Sequence, residues 1–387
     1  MSAIVDTALL PPTGVARLVD IGSGEMGFYG YSSDTATGRV SAVGVSDGKL
    51  KYEKGCTFAD QFIFRESGLD LMCTEVRRRY GISAAGEGRE PEPLVLCLTG
   101  ANRQILRDDA TGRERLEDFL RALNDRLRSC GVACSAYFPS GEDEALFELC
   151  ATEFVLRHGD LGLGDEQTAG FAGTLSAGSG SCQLTLRAGP TGGPSVHSIP
   201  IGNRTPVVSM KLGTEHALFC PGTPSTRRKA CDLLCDGEGA AETRPAWQED
   251  GGQVDPGSLR LWRELAAECI REHGLPTQLL GMFVGISAVY HAAVEAGCDG
   301  KLLPRDEFLS NLQRRCDELL ACDQHNGRAI SNLTLIAAIV ESVLSEESVI
   351  VCKRAWNIGR AEDKSEALLA TWTLGLYLKQ SGAACAA

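Results

Sequence analysis

The sequence predicts an α/β protein built of two related lobes, and three observations predict it. Apolar runs of strand length alternate with charged stretches of helix length through the first half of the chain. A short apolar run followed by a Gly-Ser-Gly turn and a second strand occurs twice, once around Gly22 and once around Gly178. The chain has 387 residues, 43% hydrophobic and 23% charged, which is the make-up of a globular protein of two or three domains. The lobes are expected at 1–160 and 161–387, the second with helical additions and a loop insertion near 221–257.

Residues 15–21 are an apolar run that suits a buried strand. Gly22, Ser23 and Gly24 force a turn, residues 28–31 resume a strand, and GRVSAVGVSDGKLKY adds another strand and a Ser-Asp-Gly turn before Lys49. A glycine turn between two strands is not the strand–glycine–helix order of the Rossmann and Walker loops, so both of those readings fail. Residues 93–100 form a second apolar strand. A helix follows over 113–128, with Leu116, Phe119, Leu120, Leu123 and Leu127 on one face. Residues 132–138 are the next strand, closed by Pro139-Ser140-Gly141, and a helix begins at once.

Near Gly170 the pattern restarts. Leu175-Ser176-Ala177-Gly178-Ser179-Gly180 repeats the form of Val19-Asp20-Ile21-Gly22-Ser23-Gly24. Coincidence between two Gly/Ser turns is the competing explanation in a chain with 44 glycines. Residues 221–257, rich in Gly, Pro, Thr, Asp and Glu, read as a loop. Helices are expected over 259–273, 278–296, 306–321, 333–344 and 365–380, with an apolar strand inside 347–356.

The net charge is −13, which disfavours a nucleic-acid or anionic-membrane surface while leaving room for a local basic pocket. No stretch approaches the ~20 apolar residues of a membrane span. The N-terminus has an early Asp6 and no basic region, so it does not read as a signal peptide. Cytoplasmic location is the default expectation, with the secretory pathway the alternative for a truncated chain. The 16 cysteines are irregularly spaced, and the pairs Cys130/Cys134 and Cys231/Cys235 lack the histidines of a zinc site. The six histidines show no metal-ligand spacing, and Arg77-Arg78-Arg79 reads as a solvated face. The G-x-S-x-G of a serine hydrolase is absent in register at 178–181.

A Gly-Ser-Gly turn between strands leaves backbone N–H groups pointing outward, and such a nest binds phosphate oxygens. Two such turns, one per lobe and facing each other, would hold a phosphate chain. Asp20, at the end of the first strand, suits a hydrated divalent cation. Glu144, at the start of a helix, suits the deprotonation of an attacking water. The plainer explanation of Glu144 is that acidic residues in a first helical turn are routine dipole partners.

Five short motifs in order resemble the apyrase and guanosine-diphosphatase family, the nucleoside tri- and diphosphate hydrolases of the actin-like ATPase superfamily. Asp20-Ile21-Gly22-Ser23-Gly24-Glu25-Met26 is similar to D-x-G-S-S-H-T, and Leu98-Thr99-Gly100-Ala101-Asn102-Arg103 to A-T-A-G-M-R. Ser140-Gly141-Glu142-Asp143-Glu144-Ala145-Leu146-Phe147 is similar to the start of S-G-x-E-E-G-x-Y. Gly173-Thr174-Leu175-Ser176-Ala177-Gly178-Ser179-Gly180-Ser181-Cys182-Gln183 is similar to G-x-L-D-L-G-G-A-S-T-Q. Trp372-Thr373-Leu374-Gly375 is the family's W-x-L-G, and residues 283–290 look like its helix carrying F-S and aromatic residues.

The resemblance implies two RNase-H-like lobes with a nucleotide cleft between them, and hydrolysis of a terminal phosphate of nucleoside di- or triphosphates with Mg²⁺ or Ca²⁺. It implies Glu144 as general base and Ser181 and Gln183 as orienters of the water. Asp20 would hold the metal through water. Gly22, Ser23, Gly24, Thr99, Arg103, Gly178, Ser179 and Gly180 would form the phosphate-binding set. The alternatives are an exopolyphosphatase or guanosine-pentaphosphate phosphatase on the same fold, and a nucleotide-binding protein with little turnover. Two departures bear on turnover. Ser176 stands where the family has Asp, and Glu25 where it has His. At ~4 Å and an effective dielectric near 20, a carboxylate repels a phosphate charge by about 4 kcal/mol unless a cation compensates. Trp372 is expected to pack a helix end against the core.

Overall fold

The computed structural model describes residues 14–22, 25–34, 40–43, 49–53, 56–82, 92–99, 102, 106, 109–158, 169–178, 181–189, 192–202, 208–212, 215–219, 241–243, 254, 256–322, 326–353, 355–357 and 367–381. Of 14, 208–212, 215–219, 241–243, 355–357 and 367 it describes the backbone alone. The chain divides into two compact units, Met1–Asp160 with Ala355–Ala387, and Leu161–Arg354.

In the first unit the apolar run ending at Ile21 is strand β1 (Gly14–Ile21), which turns back antiparallel into β2 (Glu25–Ser33). The short strands β3 (Val40–Ala42) and β4 (Lys49–Lys51) both pair with β2. After α1 (Gly68–Tyr80) comes β5 (Glu92–Leu98), parallel to β1. Helix α2 (Ala110–Arg128) leads to β6 (Val132–Tyr137), parallel to β5, and α3 (Gly141–His158) follows. The sheet order is β3-β2-β1-β5-β6, with β4 also on β2.

One face of this sheet is apolar throughout. Val19, Ile21, Met26, Phe28, Leu94, Leu96 and Leu98 pack there against Phe58, Phe62, Met72 and Val76 and against α2. Leu116, Phe119, Leu120, Leu123 and Leu127 are all buried, as the helical spacing predicts. The Asp109 carboxylate caps α2 by accepting from the Gly112 N–H at 2.6 Å.

The second unit opens with the hairpin β7 (Phe171–Ala177) and β8 (Cys182–Leu186), then β9 (Ser195–Ile199). Strands β10 (Val208–Leu212), β11 (Glu215–Phe219) and β12 (Ala241–Thr243) form a small separate sheet. Helix α4 (Pro256–Glu272), β13 (Met282–Ser287), α5 (Ala288–Glu295), β14 (Leu302–Pro304), α6 (Arg305–Ala321), α7 (Gly327–Val343) and β15 (Val349–Val351) complete it. The main sheet runs β14-β15-β13-β7-β8-β9. Its core joins Leu175, Leu184, Phe283 and Ile350 to Trp262, Phe308, Ile336 and Val340 of the helices.

The two main sheets share one topology. β1, β2, β3, β5 and β6 correspond in order and direction to β7, β8, β9, β13 and β15. The repeat expected from the Gly-Ser turns is therefore a repeat of the sheet.

The remaining elements return to the first unit: the two-stranded β16 (Ala355–Asn357) and β17 (Ala367–Leu369), and helix α8 (Trp372–Ser381). Helix α8 crosses α3 so closely that a Cβ on Gly375 would lie 1.8 Å from the Phe147 carbonyl oxygen. It also meets the second face of the sheet, where Tyr31 and Tyr377 stack at 5.4 Å between ring centroids.

Three expectations change. The helix expected over 278–296 is strand β13 followed by α5. Met-Phe-Val-Gly-Ile-Ser is a run that fits between two parallel neighbours with both faces covered, and Gln278 and Gly281 have positive φ just before it. The helix expected over 365–380 begins only at Trp372, because Ala367–Leu369 pair with β16. The second lobe, expected to run to 387, yields its last segment to the first unit. Most of the loop expected near 221–257 lies outside the described residues, but β12 and the start of α4 fall inside it.

Candidate functional site

In the first unit the parallel strands β1, β5 and β6 end at one edge of the sheet, the edge where α/β folds hold ligands. The Gly22 turn follows β1, Thr99 and Asn102 follow β5, and the first turn of α3 follows β6.

A single cross-strand row runs along this edge. Lys49 of β4 is opposite Gly27 of β2, Gly27 is opposite Asp20 of β1, Asp20 is beside Cys97 of β5, and Cys97 is beside Tyr137 of β6. Such partners project from the same face of a sheet. Asp20 is thereby turned toward α8, and its carboxylate accepts a hydrogen bond from the Trp372 side chain. Burial pushes the Asp20 carboxyl up to about 7, against the Trp372 bond and the Lys49 charge, with the Glu25 charge adding to the rise. Trp372 is buried and packs, as expected, and also holds this carboxylate.

Glu144 is half-buried in the first turn of α3, where the helix dipole favours a negative charge. That helix is fixed by a reciprocal cap: the Asp143 N–H donates to Ser140 Oγ at 3.0 Å, and the Ser140 N–H donates to Asp143 Oδ2 at 3.0 Å. Burial first, then the charges of Asp20 and Glu144, raise the Cys97 thiol well above its usual range. Asp20 at the end of β1 and Glu144 at the start of the helix after β6 thus lie along the same sheet edge.

The turn after β1 is pinned from several sides. The Gly22 N–H donates to the Glu25 carbonyl at 3.0 Å, and the Gly22 carbonyl accepts from Asn102 Nδ2 at 2.8 Å and Tyr52 Oη at 3.2 Å. The Thr99 hydroxyl and N–H both donate to the Ile21 carbonyl, at 3.2 and 3.1 Å. Asn102 is fully buried, and its Oδ1 has no hydrogen-bond partner among the described residues. The Glu25 carboxylate, expected to repel phosphate, is ion-paired with Lys49.

The second unit repeats the turn. The Gly178 N–H donates to the Ser181 carbonyl at 2.8 Å, as Gly22 does to Glu25. Gln183 Nε2 donates to Ser181 Oγ at 3.0 Å, which leaves the serine proton for another acceptor. Ser176 is buried and stands opposite Gln183, as Asp20 stands opposite Gly27. Next to Ala177 in register is Ser287, an exposed serine with φ 56 and ψ −122 at the junction of β13 and α5. Non-glycine residues rarely adopt that conformation, and it recurs at ligand sites. Asn332 Nδ2 supports the junction from α7 by donating to the Ala288 carbonyl at 3.1 Å.

Asp20, Gly22, Thr99 and Glu144 therefore share one edge of the first unit, and Gly178, Ser181 and Gln183 form one turn of the second. Ser23, Gly24, Arg103, Ser179 and Gly180 lie outside the described residues. The sequence reading missed Tyr52, Asn102 and Lys49 as supports of the first turn, and Ser287 beside the second. Asn102 lies inside the second motif, and alternation in Lys49-Leu50-Lys51 puts two lysines on one face of β4.

No protein-family model matches the sequence, and no curated protein sequence matches it. Solved structures do. A PPX-GPPA enzyme of Aquifex aeolicus has 13% identity and a TM-score of 0.50, covering 95% of this chain and 100% of that one. A nucleoside triphosphate hydrolase of Neospora caninum has 11% identity and a TM-score of 0.49, covering 94% and 91%. An exopolyphosphatase of Cytophaga hutchinsonii has 11% identity and a TM-score of 0.45, covering 95% and 98%. The fold is the α/β fold of the actin-like ATPases, with the same sheet in each unit.

Proposed function

We propose that this chain hydrolyses terminal phosphoanhydride bonds, with inorganic polyphosphate or guanosine pentaphosphate as the preferred substrate class. The observation that carries the reading is the edge of the first unit's sheet, where Asp20 ends β1 beside a pinned glycine turn and Glu144 opens the helix after β6. The likeness in fold to a PPX-GPPA enzyme over its whole length supports this substrate class above the nucleoside di- and triphosphates that the motifs imply. Nucleotide hydrolysis is the second reading, favoured by the W-x-L-G ending whose Trp372 holds Asp20.

Phosphoryl transfer needs placement and charge neutralisation more than covalent chemistry. Glu144 accepts a proton from water as the water oxygen bonds to the terminal phosphorus. The bridging P–O bond breaks, and the electron pair leaves with the shortened phosphate chain. In the second unit, Ser181 and Gln183, joined by a hydrogen bond, are assigned to orienting a water. The Gly22 turn is assigned to holding phosphate oxygens.

Asp20, a half-buried carboxylate at the end of β1 beside the glycine turn, has the chemistry to hold the water shell of a divalent cation. Among the described residues no group of three or more His, Cys, Asp or Glu forms a cage. That donor set suits an ion that keeps most of its water, Mg²⁺ more than Ca²⁺. When bound, the ion would neutralise charge on the phosphate chain, with Asp20 holding its water.

Phosphate release is to be measured from polyphosphate, guanosine pentaphosphate and nucleoside di- and triphosphates, with and without Mg²⁺ or Ca²⁺. Release is expected with metal and fastest from the first two. Glu144→Gln should lower kcat by about 10²–10⁴-fold. No release from any member of the panel would overturn the reading. Among the described residues no helix is long and apolar enough to cross a membrane.

A further inference from the structure

Glu25 places a negative charge at the end of the first glycine turn, where a phosphate-binding turn gains nothing from one. Its partner explains it. Lys49 Nζ is ion-paired with Glu25 Oε1, and Lys49 stands in the cross-strand row Lys49–Gly27–Asp20 on the same face of the sheet. Gly27, between them, carries no side chain. A Cβ there would lie 2.8 Å from Cε2 of Tyr29, so the space over it belongs to that ring. The charge of Lys49 reaches Asp20 and favours its anion.

The lysine is held from below. Among the described residues strand β4 pairs only with β2, and the Lys49 carbonyl accepts from Nη2 of Arg79 at 3.1 Å. Arg79 is 3% exposed, donates through Nε to Glu75 Oε2 at 2.9 Å, and lies 4.5 Å over the Phe28 ring. The sequence reading placed Arg77–Arg79 on a solvated face; Arg79 is instead a buried anchor for the strand that carries Lys49.

Holding an exposed ion pair this firmly does little for the fold. The Lys49 side chain is 42% exposed and that of Glu25 37%. One ammonium N–H goes to Glu25, and the structure gives the other two no partner among the described residues. A compact, hydrated ammonium beside a phosphate-binding turn is a ligand for phosphate oxygen.

We propose that Lys49 is a substrate-binding residue that gives its ammonium to the terminal phosphate of the phosphate chain, with Glu25 and Arg79 as its positioning residues. The inference rests on the phosphoanhydride reading above.

The test compares Lys49→Met and Lys49→Arg with the unaltered protein, using inorganic tripolyphosphate with Mg²⁺. KM, kcat, direct binding by calorimetry and melting temperature are read together. Lys49→Met should raise KM and Kd at least tenfold, change kcat less, and melt as the unaltered protein does. Lys49→Arg should restore most of the affinity, and the salt dependence of kcat/KM should be shallower in Lys49→Met. If the unaltered protein turns over and Lys49→Met keeps its KM and Kd, this inference falls and the hydrolase reading stands. If the unaltered protein binds tripolyphosphate without hydrolysing it and Lys49→Met loses binding, the inference stands and the hydrolase reading falls. Absence of both binding and turnover in the unaltered protein overturns both.

Discussion

The Trp372 side chain donates to the carboxylate of Asp20, joining α8 to the end of β1. The indole N–H is a donor only, so the bond favours the anion of Asp20. Trp372→Phe removes it, and the Asp20 carboxyl should rise above its present value of about 7. The acid limb of the pH profile of kcat/KM should move toward alkaline pH by about one to two units, since a hydrogen bond to a charged group is worth ~1.5–3 kcal/mol. An unmoved acid limb would show that Asp20 does not titrate in catalysis.

Asp20 also makes stability depend on pH, with a definite sign. Its folded pKa is raised from 3.8 to about 7, so the folded state binds the proton more tightly than the unfolded state does. Below pH ~4 the group costs nothing. Between about 4 and 7 the metal-free protein loses stability because the carboxyl ionises in the unfolded state while the folded state keeps its proton, by about 4 kcal/mol at most, and less because Asp20 is not fully buried. Asp20→Asn should abolish this loss and melt higher than the unaltered protein at pH 8 without metal, while turnover falls. Urea midpoints of both proteins at pH 5 and pH 8, with and without Mg²⁺, check it. Equal pH dependence in the two proteins would refute it.

Gly375 has no room for a side chain. Gly375→Ala sets a methyl carbon 1.8 Å from a backbone oxygen of α3, which only a shift of a helix relieves. Overpacking of this kind costs about 1–3 kcal/mol. The shift would also move Trp372, one turn away on the same helix, so activity should fall by more than the loss of folded protein accounts for. A thermal melt beside an activity assay on the folded fraction separates the two effects.

The hairpins β1–β2 and β7–β8 are legible in the sequence because an apolar run meeting small turn residues has few other conformations. The buried face of α2 is legible because five apolar residues recur at helical spacing. Residues 282–287 are not: a short apolar run reads equally as buried helix or buried strand, and only its neighbours β7 and β15 decide. The partners of Asp20 are also hidden, since Trp372 and Lys49 reach it through sheet register and helix crossing rather than through local spacing. Position in a motif points to Thr99 but not to its role, which is to hold the Ile21 carbonyl through both hydroxyl and N–H.

Because Ala355–Ala387 group with Met1–Asp160, the body that bears Asp20 and Glu144 is interrupted by the whole of its companion. The unit can close around α8 only after the residues of its companion, Leu161–Arg354, have been made. A chain shortened by the final helix would still contain every acidic group assigned to the chemistry, yet Asp20 would have lost its indole donor and α3 the neighbour that Gly375 admits. Folding of the unit is therefore tied to a segment that follows its companion in the chain, and a break between the two should cost Asp20 that donor.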